Sequence, residues 1–224
     1  MKVKANGISI NYQIDGPEHA PWLVFSNSLA TSLSMWDEQA AALKDRFRVL
    51  RYDQRGHGGT DAPAGRYAFD TLLDDALVLM DALGIAKANF SGLSMGGATA
   101  LGLAERRSDR FERIIVADSP CQSTPQSAQQ WEERIAVAQK QGIEALVEPT
   151  VLRWFPPETI ASNPPYLDKI RGHDPRHSGQ RFRRLRGGAC RSRLCVRGSE
   201  CEVPNPVHRR REGRRHSGRH GETP

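Results

Sequence analysis

The chain has 224 residues, 38% of them hydrophobic, and a formal net charge of +6. That length and apolar content suffice for one αβ domain with a buried core, and no run approaches the roughly 18 apolar residues that a membrane span requires. The opening MKVKANGISINYQ holds no apolar stretch of signal-peptide length, so the expectation is a cytoplasmic protein with no membrane partner. The four cysteines, Cys121, Cys190, Cys195 and Cys201, follow no regular framework and give no support for a disulfide scaffold.

The net charge averages two unlike segments. Residues 1–172 hold 18 Lys and Arg against 21 Asp and Glu, whereas residues 173–224 hold 14 Arg, no Lys and five acids. The body is thus acidic and the tail strongly basic, an asymmetry that ordinarily suggests an anionic partner.

In chain order, residues 1–15 read as two short strands joined at Asn6-Gly7, a dipeptide suited to the positive φ angles of a tight hairpin. WLVFS (22–26) is a buried-strand run, helical spacing follows from Trp36 to Leu43, and RVLRYD (48–53) is a strand entering the Gly-rich loop QRGHGGTD. FDTLLDDALVLMDALGI (69–85) repeats apolar residues at steps of three and four, which predicts an amphipathic helix. NFSG (89–92) reads as a strand, Met95 to Arg107 as a helix and ERIIVADS (112–119) as the next strand.

Strands alternating with helices imply a mostly parallel sheet covered on both faces, with ligands bound at the carboxyl ends of its strands. After Pro120 a helical, Trp-containing stretch reads as a cap, and past Gly172 the periodicity disappears. The expected organisation is therefore an α/β core over 1–120, a partial helical cap over 121–172 and a non-native-looking, disordered tail over 173–224.

The central motif is Gly92-Leu93-Ser94-Met95-Gly96, a G-x-S-x-G between strand and helix. A sharp strand-to-helix turn of this kind lifts a Ser hydroxyl clear of the sheet, and the flanking glycines relieve the crowding. The following helix points its N-terminal amides at developing negative charge, with the Met95 amide placed as an oxyanion donor. A second donor normally comes from the loop after an earlier strand; Ser26-Asn27-Ser28-Leu29 follows WLVFS, and Leu29 is the candidate.

Together FSNSLATSLSMW, YDQRGHGGTD and GLSMGG resemble the oxyanion loop, D-x-R-G-x-G turn and nucleophile elbow of the α/β-hydrolase family. The SNSL loop, with DSPCQST, WEERIAVAQKQGIEAL and RWF beyond it, is similar to the 3-oxoadipate enol-lactonases in particular, over about residues 8–171. The resemblance implies an α/β-hydrolase fold with a helical cap and no cofactor or metal. It implies a Ser94 nucleophile, a His base and an orienting acid, and hydrolysis of a small lactone or ester in breakdown of aromatic compounds by the β-ketoadipate pathway. A cationic cap residue for the substrate carboxylate is expected, for which Arg134 is chosen, with Trp131 and Trp154 either lining the pocket or anchoring the cap. A general carboxylesterase on the same fold and a non-catalytic, basic-tailed binding protein are the alternatives.

The acid and the His have no legible context in the sequence. His57 in the Gly-rich turn reads as structural rather than as a base, Asp118 at a strand end as a cap rather than as the acid, and His208, His216 and His220 lie in unpatterned sequence. The tail lacks the aromatic interleaving of a nucleic-acid arm, so no nucleic-acid partner is expected, and its cysteines lack the paired spacing of a zinc site. Absence of Lys amid Arg, Gly, His, Pro and Ser is what GC-rich coding sequence gives when read out of frame. Permissible codons for Pro206 to Ser217, started one base later, spell Leu-Phe-Ile-Val-Gly-Glu-Lys-Asp-Gly-Val-Thr, a strand entering the family's acid loop. The tail is thus expected to be a frameshifted hydrolase terminus, and this chain to have severely reduced activity. Oligomeric state is not legible.

Overall fold

The computed structural model describes residues 1–65, 67–122 and 124–172. Asn6 and Gly7 take positive φ angles of 47° and 75°, turning β1 (Lys2–Ala5) onto β2 (Ile8–Asp15) as an antiparallel hairpin with Val3 opposite Ile10. Four further strands, β3 (Trp22–Ser26), β4 (Arg48–Tyr52), β5 (Ala88–Leu93) and β6 (Phe111–Ala117), complete a sheet of order β1-β2-β4-β3-β5-β6. The pairs β3–β4, β3–β5 and β5–β6 are parallel, and β2–β4 is antiparallel.

Helices cover both faces because alternate strand residues point to opposite sides. Val24, Leu50 and Phe90 join Leu73, Ala76, Leu77 and Met80 of α2 (Phe69–Ala82) and Leu103 of α3 (Met95–Arg107) in the larger core cluster. Leu23, Phe25 and Val49 face the other way, onto Trp36 and onto Ala40 of α1 (Asp37–Leu43), with the Phe25 and Trp36 rings stacked at 4.5 Å. Two helix boundaries differ from the sequence reading. A 3-10 turn over Leu33–Trp36, capped by the Ser32 hydroxyl, precedes α1, and α2 stops at Ala82 because Gly84 turns left-handed at φ 70°.

Residues 125–170 form four helices, α4 (Pro125–Gln141), α5 (Val147–Trp154), α6 (Pro157–Ser162) and α7 (Pro165–Ile170). Thr124 opens α4 with a reciprocal capping box: its hydroxyl accepts from the Ser127 amide at 3.1 Å while its own amide donates to the Ser127 hydroxyl at 2.9 Å. Leu167 of α7 is fully buried, and Lys169 donates to Asp37 of α1 at 2.8 Å and to the Ser34 carbonyl at 3.2 Å.

Strand β6 forms one edge of the described sheet, where Ile115 and Val116 remain 60% and 36% exposed. The 173–224 segment and its histidines, with the frameshift expectation attached to them, lie outside the described residues. No helix among the described residues is long and apolar enough to cross a membrane.

Candidate active site

Strands β3 and β5 lie side by side with Ser26 opposite Gly92, so the chain leaves both at the carboxyl end of the sheet. From there the SNSLAT loop starts on one side and the G-x-S-x-G turn on the other. Ser94 caps α3 at φ 54°, ψ −111°, a left-handed conformation that a non-glycine residue adopts only where its surroundings impose it. Its amide donates to the Ala117 carbonyl of β6 at 2.9 Å, and its carbonyl accepts from Ala98 at 2.9 Å. Two glycines make the turn possible. A Cβ on Gly92 would stand 2.0 Å from the Gly96 carbonyl oxygen, and one on Gly96 would stand 2.2 Å from that of Ser26, so backbone fills both spaces. The second contact seats the start of α3 directly on the beginning of the SNSLAT loop.

Ser94 is half-buried, and its hydroxyl makes no hydrogen bond among the described residues. The Met95 amide, first in α3, is one of the orphan donors at a helix start.

In the loop, the amides of Ser28, Ala30 and Thr31 reach the Met35 sulfur, the His57 imidazole and the Ser28 carbonyl respectively. The Leu29 amide finds no acceptor among the described residues. Asn27 and Thr31 hold this arrangement: the Asn27 Nδ2 donates to the carbonyls of Ser28 and Thr31 at 3.1 and 3.0 Å, and the Thr31 hydroxyl donates to the Ser28 carbonyl at 2.8 Å.

The loop rests on the Gly-rich turn after β4. Buried Asp53 accepts from the Leu33 amide at 2.6 Å, from Asn11 Nδ2 at 2.7 Å and from the Gly59 amide at 2.7 Å. Gln54 donates from Nε2 to the Asn27 carbonyl at 2.5 Å and from its amide to the Asn27 Oδ1 at 3.2 Å. Burial pushes the His57 imidazole below its ordinary pKa, against the opposing pull of the Arg55 carbonyl and the Asp53 charge. Arg55 itself leaves the loop and forms a two-bonded pair with buried Asp75 of α2, at 2.8 and 2.6 Å, which the Asn6 side chain joins at 2.7 Å. The pairing raises the Arg55 pKa further. None of Asn27, Thr31, Asp53 and Gln54 was singled out by the sequence reading, although all four lie in the two quoted motifs.

Asp118 does not act as a helix cap. It is exposed at the end of β6 with φ 43°, and Thr124 caps the next helix. Arg134 of α4 and Arg153 of α5 line a cleft of about 350 Å³ with Gln130, Glu133 and Val137. Burial first, then the neighbouring Arg153 charge, lowers the Arg134 pKa, and neither arginine has an ion pair among the described residues. Trp131 lies beneath the Arg134 guanidinium at 5.0 Å rather than on the cleft wall; it and Trp154 are 43% and 47% exposed. No group of three or more potential metal ligands occurs among the described residues.

Known proteins give a consistent comparison. The chain is 39% identical over 170 residues to 3-oxoadipate enol-lactonase 2 of Acinetobacter baylyi (strain ATCC 33305 / BD413 / ADP1), and 43% identical over 155 residues to 3-oxoadipate enol-lactonase 1 of the same organism. The alignments cover 76% and 69% of this chain, which spans 62% and 57% of the lengths of those relatives. The enol-lactonase from Burkholderia xenovorans LB400 superposes with a TM-score of 0.74 at 42% identity, over 83% of this chain and 70% of that one. A thermophilic esterase from Thermogutta terrifontis shares the fold at a TM-score of 0.74 and 24% identity, over 84% and 71% of the two chains. A family profile described as the alpha/beta hydrolase fold matches residues 21–152. Matched over more than half its length and built around a serine turn of this geometry, the chain belongs to the α/β hydrolase fold family.

Proposed function

We propose that the protein is a serine carboxylic-ester hydrolase whose substrate is a small enol-lactone, 3-oxoadipate enol-lactone. The observation that carries the reading is a strained Ser94 whose hydroxyl makes no hydrogen bond among the described residues, together with a Leu29 amide that finds no acceptor among them, on loops that leave adjacent parallel strands. Similarity to enol-lactonases at 39–43% identity supports the choice of substrate. The work takes place in the cytoplasm, within bacterial breakdown of aromatic compounds.

Ser94 attacks the ring carbonyl and the amides of Leu29 and Met95 hold the tetrahedral oxyanion. Two preorganised amides stabilise charge only where it develops, and loss of one such donor costs about 10²–10³ in kcat. The departing enolate tautomerises to a ketone, so protonation of the leaving group matters less than in amide hydrolysis. Arg134 binds the substrate carboxylate, with Trp131 supporting its guanidinium and Trp154 contributing to the cap. Residues 121–172 act as that cap over a core of 1–120. No residue of this chain is assigned as the base that takes the Ser94 proton or as its orienting acid; both belong to the shifted-frame terminus restored in the test below.

The test compares this chain with one read one base later from about codon 172, each with and without Ser94→Ala, on the enol-lactone and on p-nitrophenyl acetate. Turnover by this chain should lie at least about 10³-fold below that of the shifted-frame chain, because a missing triad member leaves only binding and oxyanion stabilisation. The shifted-frame chain should prefer the lactone and lose its activity on Ser94→Ala. Lactone hydrolysis that survives Ser94→Ala would sink the proposal, and a preference for the neutral acetate would replace lactonase by general carboxylesterase.

A further inference from the structure

His57 is buried in the turn after β4, and both of its ring nitrogens are engaged. Nδ1 lies 3.0 Å from the Arg55 carbonyl, which can only accept, so Nδ1 carries the proton. Nε2 is therefore a bare acceptor, and it takes the Ala30 amide of the SNSLAT loop at 3.1 Å. The turn that carries the ring is itself fixed, with the His57 amide on the Gln54 carbonyl at 2.9 Å and the Thr60 amide on the His57 carbonyl at 3.0 Å.

Ala30 has φ 61°, a left-handed conformation that alanine holds only under constraint. The peptide bonds are trans, so each amide N–H points opposite its own carbonyl. The carbonyl of the Ser28–Leu29 peptide is bound by Asn27 and Thr31, which turns the Leu29 N–H away from the loop's own bonds. The N–H of the next peptide, Leu29–Ala30, is held by His57. Both peptide planes flanking Leu29 are thus fixed, one from inside the loop and the other by a side chain 27 residues away.

We propose that His57 is a positioning residue: its neutral imidazole clamps the Ala30 amide, keeps Ala30 left-handed and so aims the Leu29 N–H. Protonation would turn Nε2 into a donor facing a donor and release the loop. The loop face presented to the ring, residues 27–31, carries no titratable side chain. On the turn, Asp53 is the carboxylate that acts on the ring, while the Arg55 guanidinium is committed to Asp75. The value of the clamp for an oxyanion donor rests on the hydrolase reading above; the clamp itself can be tested without turnover.

The experiment is amide hydrogen exchange by mass spectrometry on the 224-residue chain between pH 5 and 8. Rates are corrected for intrinsic chemistry, peptides cover residues 27–33, and β3 serves as internal reference. In the native chain, protection of the loop should fall by up to about tenfold per pH unit as the pH drops below about 6.5, the ordinary imidazole value that His57 regains when the loop opens, because opening then takes up a proton. His57→Gln, whose amide oxygen accepts the same bond without titrating, should keep protection and lose the pH dependence. His57→Leu should lose protection at every pH while β3 keeps its own. Unchanged loop protection in His57→Leu, equal loss in loop and β3, or a native-like pH profile in His57→Gln would each overturn the proposal. If His57→Leu does not fold, the comparison of the native chain with His57→Gln decides alone.

Discussion

Replacing Ser94 by two different small residues separates the chemistry of the turn from its mechanics. At φ 54°, ψ −111° the Ser94 backbone is strained, and such a residue costs about 1–3 kcal/mol. Ser94→Ala removes the hydroxyl but keeps the Cβ that causes the strain; Ser94→Gly removes both. Neither loses a side-chain hydrogen bond, since Ser94 makes none among the described residues. Glycine gives up more chain freedom on folding than alanine, about 0.5–1 kcal/mol. With the middle of each range, about 2 less about 0.75 kcal/mol, Ser94→Gly should be more stable than Ser94→Ala by about 1 kcal/mol. Urea unfolding followed by tryptophan fluorescence reads this directly, with Trp36, stacked on Phe25, as a buried reporter. With a slope near 2 kcal/mol/M, the midpoints should differ by about 0.5 M. Equal midpoints, or a lower one for Ser94→Gly, would mean that the turn stores no more strain than glycine's lost chain freedom costs, and the argument for a protein-imposed turn would fail.

Other substitutions test the supports of the site. Gly92→Ala puts a Cβ 2.0 Å from the Gly96 carbonyl, an overpacking against backbone that should cost about 3 kcal/mol or more and show as loss of soluble protein; a normally stable variant would contradict the packing. Asp75→Ala strands the Arg55 guanidinium, only 10% exposed, and should cost about 3–5 kcal/mol in denaturant melts, whereas a cost below about 1 kcal/mol would show the pair to be solvated. Stability should fall as the pH drops below about 6.5, the ordinary His pKa. The folded-state value of His57 is depressed, so in this window the unfolded chain binds the extra proton; the single-site slope is at most about 1.4 kcal/mol per pH unit. His57→Gln should remove that slope, which denaturant midpoints at pH 5, 6 and 7 will read. In the shifted-frame chain, Arg134→Met should raise KM for the carboxylate-bearing lactone about tenfold or more, the effect of one charged hydrogen bond, and leave p-nitrophenyl acetate hydrolysis within about twofold. Parallel losses on both substrates would remove Arg134 from carboxylate recognition.

The sequence announced what is local and periodic. Leu72, Leu73, Ala76 and Met80 recur at helical steps because one stripe of α2 must face the sheet, and each is buried. Gly92, Ser94 and Gly96 mark the elbow because few other residues fit a turn where backbone approaches within a Cβ radius. What stayed hidden depends on contacts between distant loops. Nothing in the spelling of SNSLAT says that Ala30 is left-handed, because the bond that holds it comes from His57 across 27 residues. Asp118 misleads for the opposite reason: it sits beside a suggestive motif, but a strand end left exposed decides its surroundings.

The outer side of β6 carries a further consequence. Its backbone groups on that side have no strand to bond within the described sheet, and Ile115 and Val116 stand beside them in water. A bare rim of this kind templates strand addition between copies. The same strand lends its Ala117 carbonyl to the Ser94 amide, so whatever zips onto the rim pulls on Ser94 at one remove. Strand addition between copies and misalignment of Ser94 are therefore expected to appear together.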